Sequence, residues 1–556
     1  LSSHAFDEGF YYKPRIDFNI LKDHTEGVIC LSACLAGEVP QNLLYASYNK
    51  AKAVAEKYRD IFAPGDYYIE IQDHNLEEER KIMKDLVKIA KEIGVKVVAT
   101  NDVHYINKED ANVQDTLMCI NMKAKKDDPA TENSPRFRTR EFYLKSGEQM
   151  SELFSWCPEA IANTREIADK VDGEYFELKA DKVYIPDFTA PDMNGRSAKQ
   201  YLHDLAYDNL KKKYKNVTDE IINRLDYELK VIDDCGFNDY FLIVLDYIRF
   251  AKNNGIPVGP GRGSGVGSIV AYLVGITNVE PLRYHLLFER FLSKERVTYP
   301  DFDVDFCVDQ REKVIDYIRR KYGHENVAQI IAYSTISAKA GIKDVARVYN
   351  IDFKTSNDLV KVIENPKTPL EQLVNPDPLN EEFCKELYDR YLVDPEITRV
   401  IDEAKLLDGS IRQASMHAAG IVICKDEILK HVALSRNKDA LCTQFDKTHL
   451  EDIGLIKMDI LGLMTLTDIN LACKYIEEDT GRKINFDEME YNDPKVFRQI
   501  SSGDCVGIFQ LEGQGMTSFM KDLEPASLED VVAGIALYRP GPMSFIPYFI
   551  DGKKNP

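Results

Sequence analysis

The chain has 556 residues, 44% of them hydrophobic and 29% charged, which is too long for a single core and enough for about three or four domains. Its formal net charge of −21 argues against a protein that coats nucleic acid through bulk charge, while leaving room for a locally basic channel. The longest apolar runs, 240–245 and 269–274, are far too short to span a bilayer, no signal peptide stands at the start, and eleven cysteines without a Cys-x-x-Cys pair fit a reduced, cytoplasmic protein without a membrane partner. Because it opens on Leu1 and closes on Gly-Lys-Lys-Asn-Pro just after an apolar segment, the chain is expected to be a fragment cut at both ends.

From the start, strand and helix alternate. Strands are expected at 27–31, 67–71 and 95–100 and helices at 43–63 and 76–93, an α/β pattern. Cys34, Asp73, His74, Asp102 and His104 fall just after the strands, where α/β barrels carry their chemistry. Together such residues could hold a transition metal; singly, each is more often an ordinary loop residue or a satisfied histidine. Residues 105–182 read as mostly helical and polar, with a surface loop at 124–135. The proline-rich 186–192 marks a domain boundary, and helices follow through Lys252.

The glycine-rich stretch comes next: Gly259, Gly261, Gly263, Gly265 and Gly267 alternate with Pro260, Arg262, Ser264 and Val266 between a short strand at 255–258 and a helix beginning at 268. Strand, glycine turn, helix is an arrangement in which backbone N–H groups and a helix N-terminus receive phosphate. No Gly-Lys-Ser/Thr ends the loop, so it is not a Walker A motif, and the alternative is a tight turn. Arg262 would add a bidentate phosphate donor.

The most informative stretch is 299–306. In an extended strand, side chains two apart share a face about 6.5 Å from one another, so Asp301, Asp303 and Asp305 project one way while Phe302, Val304 and Phe306 pack behind. Three carboxylates on one face repel unless cations sit among them, and hard oxygen donors suit Mg²⁺ or Mn²⁺. The alternative is a solvated acidic edge strand. The surrounding 283–347 carries two more basic than acidic residues, so the centre lies in a region that is not acidic overall.

Helices are expected at 310–322 and 337–349; in the second, Lys339, Lys343 and Arg347 share one face, either as a solvated stripe or as a contact for nucleic-acid backbone or triphosphate. Residues 352–403 read as charged and helical. His417 stands before the apolar Ile421, Val422 and Ile423, where it could touch phosphate or cap that strand. At 454–461 a second strand points Lys457 and Asp459 to one face, either as a local ion pair or, beside the first strand, as a further carboxylate and a cation for the reacting phosphate.

Val258-Gly-Pro-Gly-Arg-Gly-Ser-Gly, Leu287-Phe-Glu-Arg-Phe-Leu, Pro300-Asp-Phe-Asp-Val-Asp-Phe, His417-Ala-Ala-Gly, Lys457-Met-Asp459 and Leu537-Tyr-Arg-Pro-Gly-Pro follow in this order. Over essentially its whole length the chain thereby resembles the bacterial DNA polymerase III α subunits, the DnaE-type family C polymerases. The resemblance implies a multidomain α/β and α+β chain: the later part of a PHP-type α/β barrel at 1–182, a β-type nucleotidyltransferase palm at 183–334 and 411–462, a helical thumb at 335–410, and the start of helical fingers at 463–556. It assigns catalysis and two Mg²⁺ ions, or Mn²⁺, to Asp303, Asp305 and Asp459, with Asp301 supporting. It places Arg262, Gly263, Ser264, Arg290, Arg296, Lys457 and His417 toward the incoming dNTP, and makes Cys34, Asp102 and His104 candidates for a partial PHP site for Zn²⁺ or Mn²⁺.

The function implied is template-directed DNA synthesis on primer-template DNA in the bacterial cytoplasm. In the intact protein the partners would be a sliding clamp, the clamp-loader tau subunit and a proofreading exonuclease. Lacking the first PHP strands and most of the fingers, this chain alone is expected to extend a primer weakly or not at all. Two rivals remain at this point: a metal-dependent phosphoesterase centred on Cys34, Asp102 and His104, and a non-catalytic nucleic-acid-binding assembly module.

Overall fold

The computed structural model describes residues 1–128, 136–171, 179–180, 182–294, 299–437 and 440–555. They divide into two compact units. The first comprises Leu1–Lys182, Ala328–His417 and Glu427–Gly454, and the second Val183–Val327, Ala418–Asp426 and Leu455–Pro556. The boundary after Lys182 falls next to the proline-rich segment that the sequence marks.

In the first unit, β1 (Cys30–Leu31), β2 (Tyr67–Ile71) and β3 (Lys96–Ala99) form a parallel sheet in the order β1-β2-β3. The helix Glu77–Ile93 shows why the α/β pattern was readable. Glu77, Glu78 and Glu79 lie at its positive end and Gly94 closes it in the left-handed conformation at φ 73°, while Ile82, Met83, Leu86, Ile89, Ala90 and Ile93 recur on one buried face. The single helix expected at 43–63 is two, Glu38–Tyr45 and Tyr48–Arg59. Ser47 starts the second by accepting the Lys50 amide at 3.3 Å, a cap that periodicity does not register. A second core joins the helices Ala111–Met122, Ala338–Val348 and Pro395–Leu407 around Cys119, Ile342, Val345 and Ile401. The strand β5 (Val327–Thr335) lies chiefly in this unit, and β6 (Ile411–Ile423) runs out of it into the second. The hairpin of β7 (Leu434–Asn437) and β8 (Ala440–Thr443) pairs with β5 through Gln329 and Cys442.

In the second unit, the helix Asn238–Asn253 is buried over most of its length. It supports two parallel strands, β4 (Asp303–Cys307) and β9 (Lys457–Leu463), with the end of β6 antiparallel to β9 on the other side. The register sets Asp303 opposite Asp459 and Asp305 opposite Leu461, and Gly420 opposite Asp459. The expected strand at 255–258 shrinks to one bridge, Val258 to Phe306. It is held by the Gly259 amide donating to the Asp305 carbonyl at 2.8 Å and the Cys307 amide donating to the Pro257 carbonyl at 3.1 Å. That bridge delivers the glycine loop to the free edge of β4. Toward the end of the chain a small core of Ile500, Leu511, Phe519, Met520 and Leu523 unites short helices. Among the described residues no helix is long and apolar enough to cross a membrane, and all eleven cysteines are free thiols.

Candidate active site

Along β4 the alternation expected from sequence is present: Val304 and Phe306 are buried while Asp303 and Asp305 stand on the other, half-exposed face. Phe302 is fixed beneath them by Tyr240, Phe241 and Phe291, at ring separations of 5.8, 5.1 and 4.6 Å, and its amide donates to the Tyr240 hydroxyl at 3.0 Å. The aspartates therefore rest on a packed aromatic floor. Because β9 pairs in parallel register, Asp459 comes up beside Asp303 from 156 positions away.

Asp301, Asp303 and Asp459 offer carboxylate oxygens that all lie within 4.8 Å of one another. Lys457 donates to Asp301 at 3.0 Å and to Asp459 at 2.6 Å, so the lysine and aspartate that alternate on β9 do point together. The other Asp459 oxygen, Oδ1, is buried with no hydrogen-bond partner, an orphan of the kind that a cation would satisfy. Asp305, on the same face of β4, is engaged by Arg262. Its carboxylate lies 3.1 Å from the Arg262 Nε, with Asp303 3.7 Å from the same guanidinium, and it stands outside the group of three, whereas Asp301 stands within it.

The electrostatics follow from this crowding. Burial pushes the Asp303 carboxyl above the usual carboxylate range, with Arg262 pulling against it and Asp301 and Asp459 adding to it. Burial likewise raises Asp305, against Arg262. For Lys457 burial works against the charge, but hydrogen bonds to Asp459 and Asp301 outweigh it and hold the ammonium above its ordinary value. Two side-chain cations thus partly neutralise four carboxylates.

The glycine loop lies directly on these acids. Gly263, at φ 70°, would place a Cβ 3.0 Å from the Asp303 Oδ2, and Gly265 would drive one to 2.4 Å from the Phe302 ring. Only glycine lets the backbone approach so closely. Ser264–Gly267 then forms a 3₁₀ turn leading into the helix Ile269–Val274. The N-terminus of this helix, which the sequence suggests as a phosphate site, is occupied by side chains. Its first-turn amides are already taken, Val270 by the Glu228 carboxylate at 3.2 Å and Ala271 by the Ser268 hydroxyl at 3.1 Å.

Other expected residues fall elsewhere. Arg290 is exposed at the end of the 3₁₀ turn Phe288–Arg290, and Arg296 lies outside the described residues. His417 sits in the middle of β6 rather than capping a strand, because β6 begins at Ile411. On the helix Ala338–Val348, Lys343 is exposed and Lys339 half-buried. The Arg347 guanidinium donates to the Ala124 and Ile120 carbonyls at 3.3 and 3.4 Å, closing the helix Ala111–Met122. Cys34, Asp102 and His104 are not gathered into a group able to hold a metal among the described residues. The His104 ring packs against Phe137 and Phe142, and its Nδ1 lies 3.1 Å from the Asp102 carbonyl oxygen.

Hard carboxylates converging under a glycine loop define a centre suited to divalent cations and to a phosphate-bearing partner. Residues 200–462 match the family model described as the bacterial DNA polymerase III alpha NTPase domain, 465–556 the bacterial DNA polymerase III alpha subunit finger domain, and 1–74 the PHP domain. Similar curated proteins are the DNA polymerase III subunits alpha of Borreliella burgdorferi (44% identical over all of this chain and 47% of that protein), Treponema pallidum (41%, all of this chain and 47%) and Aquifex aeolicus (42%, 98% of this chain and 49%). The chain belongs to the bacterial DNA polymerase III α subunit family. It spans about half the length of the curated relatives it matches.

Proposed function

We propose that the chain carries the nucleotidyl-transfer centre of a replicative DNA polymerase, which adds dNTP to a primer 3′-hydroxyl under template direction. The observation that supports it most is the register of Asp303 against Asp459, with Asp301 beside them, beneath the loop of Gly263. Asp301, Asp303 and Asp459 would hold divalent ions, Mg²⁺ by the hardness of the donors, and Asp305 would join them once Arg262 turns to the triphosphate. When bound, paired ions activate the attacking hydroxyl and neutralise the departing pyrophosphate.

The chain's own residues orient the rest. The loop amides and Arg262 receive the triphosphate, and Lys457 balances charge between Asp301, Asp459 and the reacting phosphate. On this reading 183–334 and 411–462 form the palm, 335–410 the thumb and 463–556 the start of the fingers. Lys339 and Lys343 face DNA backbone, while Arg347 acts through the helix end it closes. Primer-template DNA and dNTP are the substrates. The clamp, tau subunit and exonuclease belong to the intact polymerase.

Asp303→Asn and Asp459→Asn in the full-length enzyme should each lower nucleotide incorporation by at least about 100-fold, with the Kd for primer-template unchanged. Near-normal incorporation by either variant would overturn the assignment.

A further inference from the structure

The helix Asp219–Asp234 carries a carboxylate that the centre described above does not use. Glu228 is wholly buried, and one turn earlier Arg224 donates to it through Nε at 2.6 Å. The second Glu228 oxygen accepts the Ser268 hydroxyl at 2.8 Å and the Val270 amide at 3.2 Å. The other arm of Arg224 donates to the Gly267 carbonyl at 2.9 Å and the Leu286 carbonyl at 3.1 Å. Every one of these bonds outside the pair ends where the glycine loop ends or on the segment that braces it. There the backbones touch, since a Cβ on Gly267 would meet the Leu287 carbonyl at 2.8 Å.

A buried ion pair is weak evidence for stability, because well-packed apolar side chains of the same volume serve as well or better. Its geometry is more informative than its energy. Arg224 holds the last carbonyl of the loop, at Gly267, while Glu228 holds Ser268 and the first turn of the helix that follows it. Between their grip at Gly267 and Ser268 and the place where Gly263 passes close to Asp303 lies only the single 3₁₀ turn Ser264–Gly267. A shift at one end of so short a turn reaches the other.

We propose that Glu228 and Arg224 are positioning residues that set the height of Gly263 and Ser264 over Asp303, and through it the affinity for the nucleotide triphosphate. This rests on the reading that the loop receives the triphosphate. A misplacement of about 1 Å can cost up to about 100-fold at a reacting centre. The isosteric Glu228→Gln sets an amide N–H against the Arg224 donor or turns one toward Ser268 and Val270, so one side of the grip is lost.

The test is single-turnover incorporation of one nucleotide by the full-length polymerase, following the apparent Kd for dNTP, the rate at saturating dNTP, the Kd for primer-template and the melting temperature. Glu228→Gln should raise the apparent Kd for dNTP about tenfold or more, leaving primer-template affinity unchanged and the saturated rate within a few-fold. Ser268→Ala, which keeps the ion pair intact, should move it in the same direction by less, and decides the matter if Glu228→Gln does not fold. A purely structural role would lower the active fraction with no change in nucleotide affinity, and that result in both variants would overturn the proposal. Gly263→Ala separates the two readings: if it weakens dNTP binding while the other variants do not, only the positioning role is lost, and if all three leave it unchanged the triphosphate role of the loop falls as well.

Discussion

Replacing Gly265 by alanine tests how firmly the glycine loop is tied to the aspartate strand. The added Cβ would stand 2.4 Å from one Phe302 ring carbon and 2.7 Å from the next, where carbon atoms settle at about 3.5 Å, so loop and ring must part by about 1 Å. Phe302 has little room to yield, being 4% exposed and enclosed by Tyr240, Phe241 and Phe291. Overpacking of this kind costs about 1–3 kcal/mol. The loop is the softer partner and should move, lifting Gly263 from Asp303 and reducing incorporation by up to about 100-fold. Both effects are measurable in the full-length polymerase, by thermal melting and by single-turnover incorporation. Gly552→Ala is the control: a Cβ there meets nothing within 4 Å, and in the helix Ile546–Lys554 it should be neutral or stabilising by up to about 1 kcal/mol. If Gly265→Ala melts and incorporates like the wild type, the close apposition of loop and strand described above is wrong.

Two further outcomes follow from the charges. Lys457→Ala leaves Asp459, whose side chain is only 8% exposed, without its cation and should destabilise by about 3 kcal/mol in denaturant titration; Mg²⁺ should restore more stability to this variant than to the wild type, and equal gains would refute the pairing. Burial raises the Asp303 and Asp305 carboxyl groups, so the folded protein keeps those protons to a higher pH than the unfolded chain. The resulting stability is complete below the unfolded value of about 3.9 and is lost as pH rises through the folded values. Without divalent ions, Asp303→Asn/Asp305→Asn should therefore melt above the wild type at neutral pH and above, and the gap should close as the pH falls toward the unfolded value of about 3.9. A gap that widens on acidification would contradict the sign.

What could be read from the sequence was what is local. The face shared by Asp301, Asp303 and Asp305 follows from the period of a strand, and the amphipathic helix Glu77–Ile93 from its spacing and its Gly94 stop. The company those residues keep was harder to read. Nothing in 457–459 says that Asp459 registers against Asp303, and nothing in 301–305 says that Arg262 engages Asp305 while Asp301 closes the group with Asp459. Glu228 was missed for the same reason. Four residues after Arg224 on an amphipathic helix, it reads as a solvated surface pair, and its bonds to Ser268 and Val270, about forty positions on, leave no trace in spacing. Position after strands brings His104 within 3.7 Å of the Asp102 carboxylate, but among the described residues Cys34 does not join them in a group able to hold a metal.

The parallel register of β4 and β9 also bears on how the molecule comes into being. Between them the chain leaves its unit after Val327, builds much of another, and returns for good at Leu455. Lengthening such an excursion costs little at equilibrium, about 0.6 kcal/mol for each doubling of the closed loop, but the ladder cannot form until the far strand exists, and pairings this distant in sequence form slowly. During synthesis from the N-terminus, Asp301 and Asp303 therefore emerge long before Asp459 and Lys457. A ribosome-bound chain that has not reached Lys457 has a floor of aromatics and two of the three clustered carboxylates, Asp301 and Asp303, without the third, so the acidic group closes only after the intervening residues have been made.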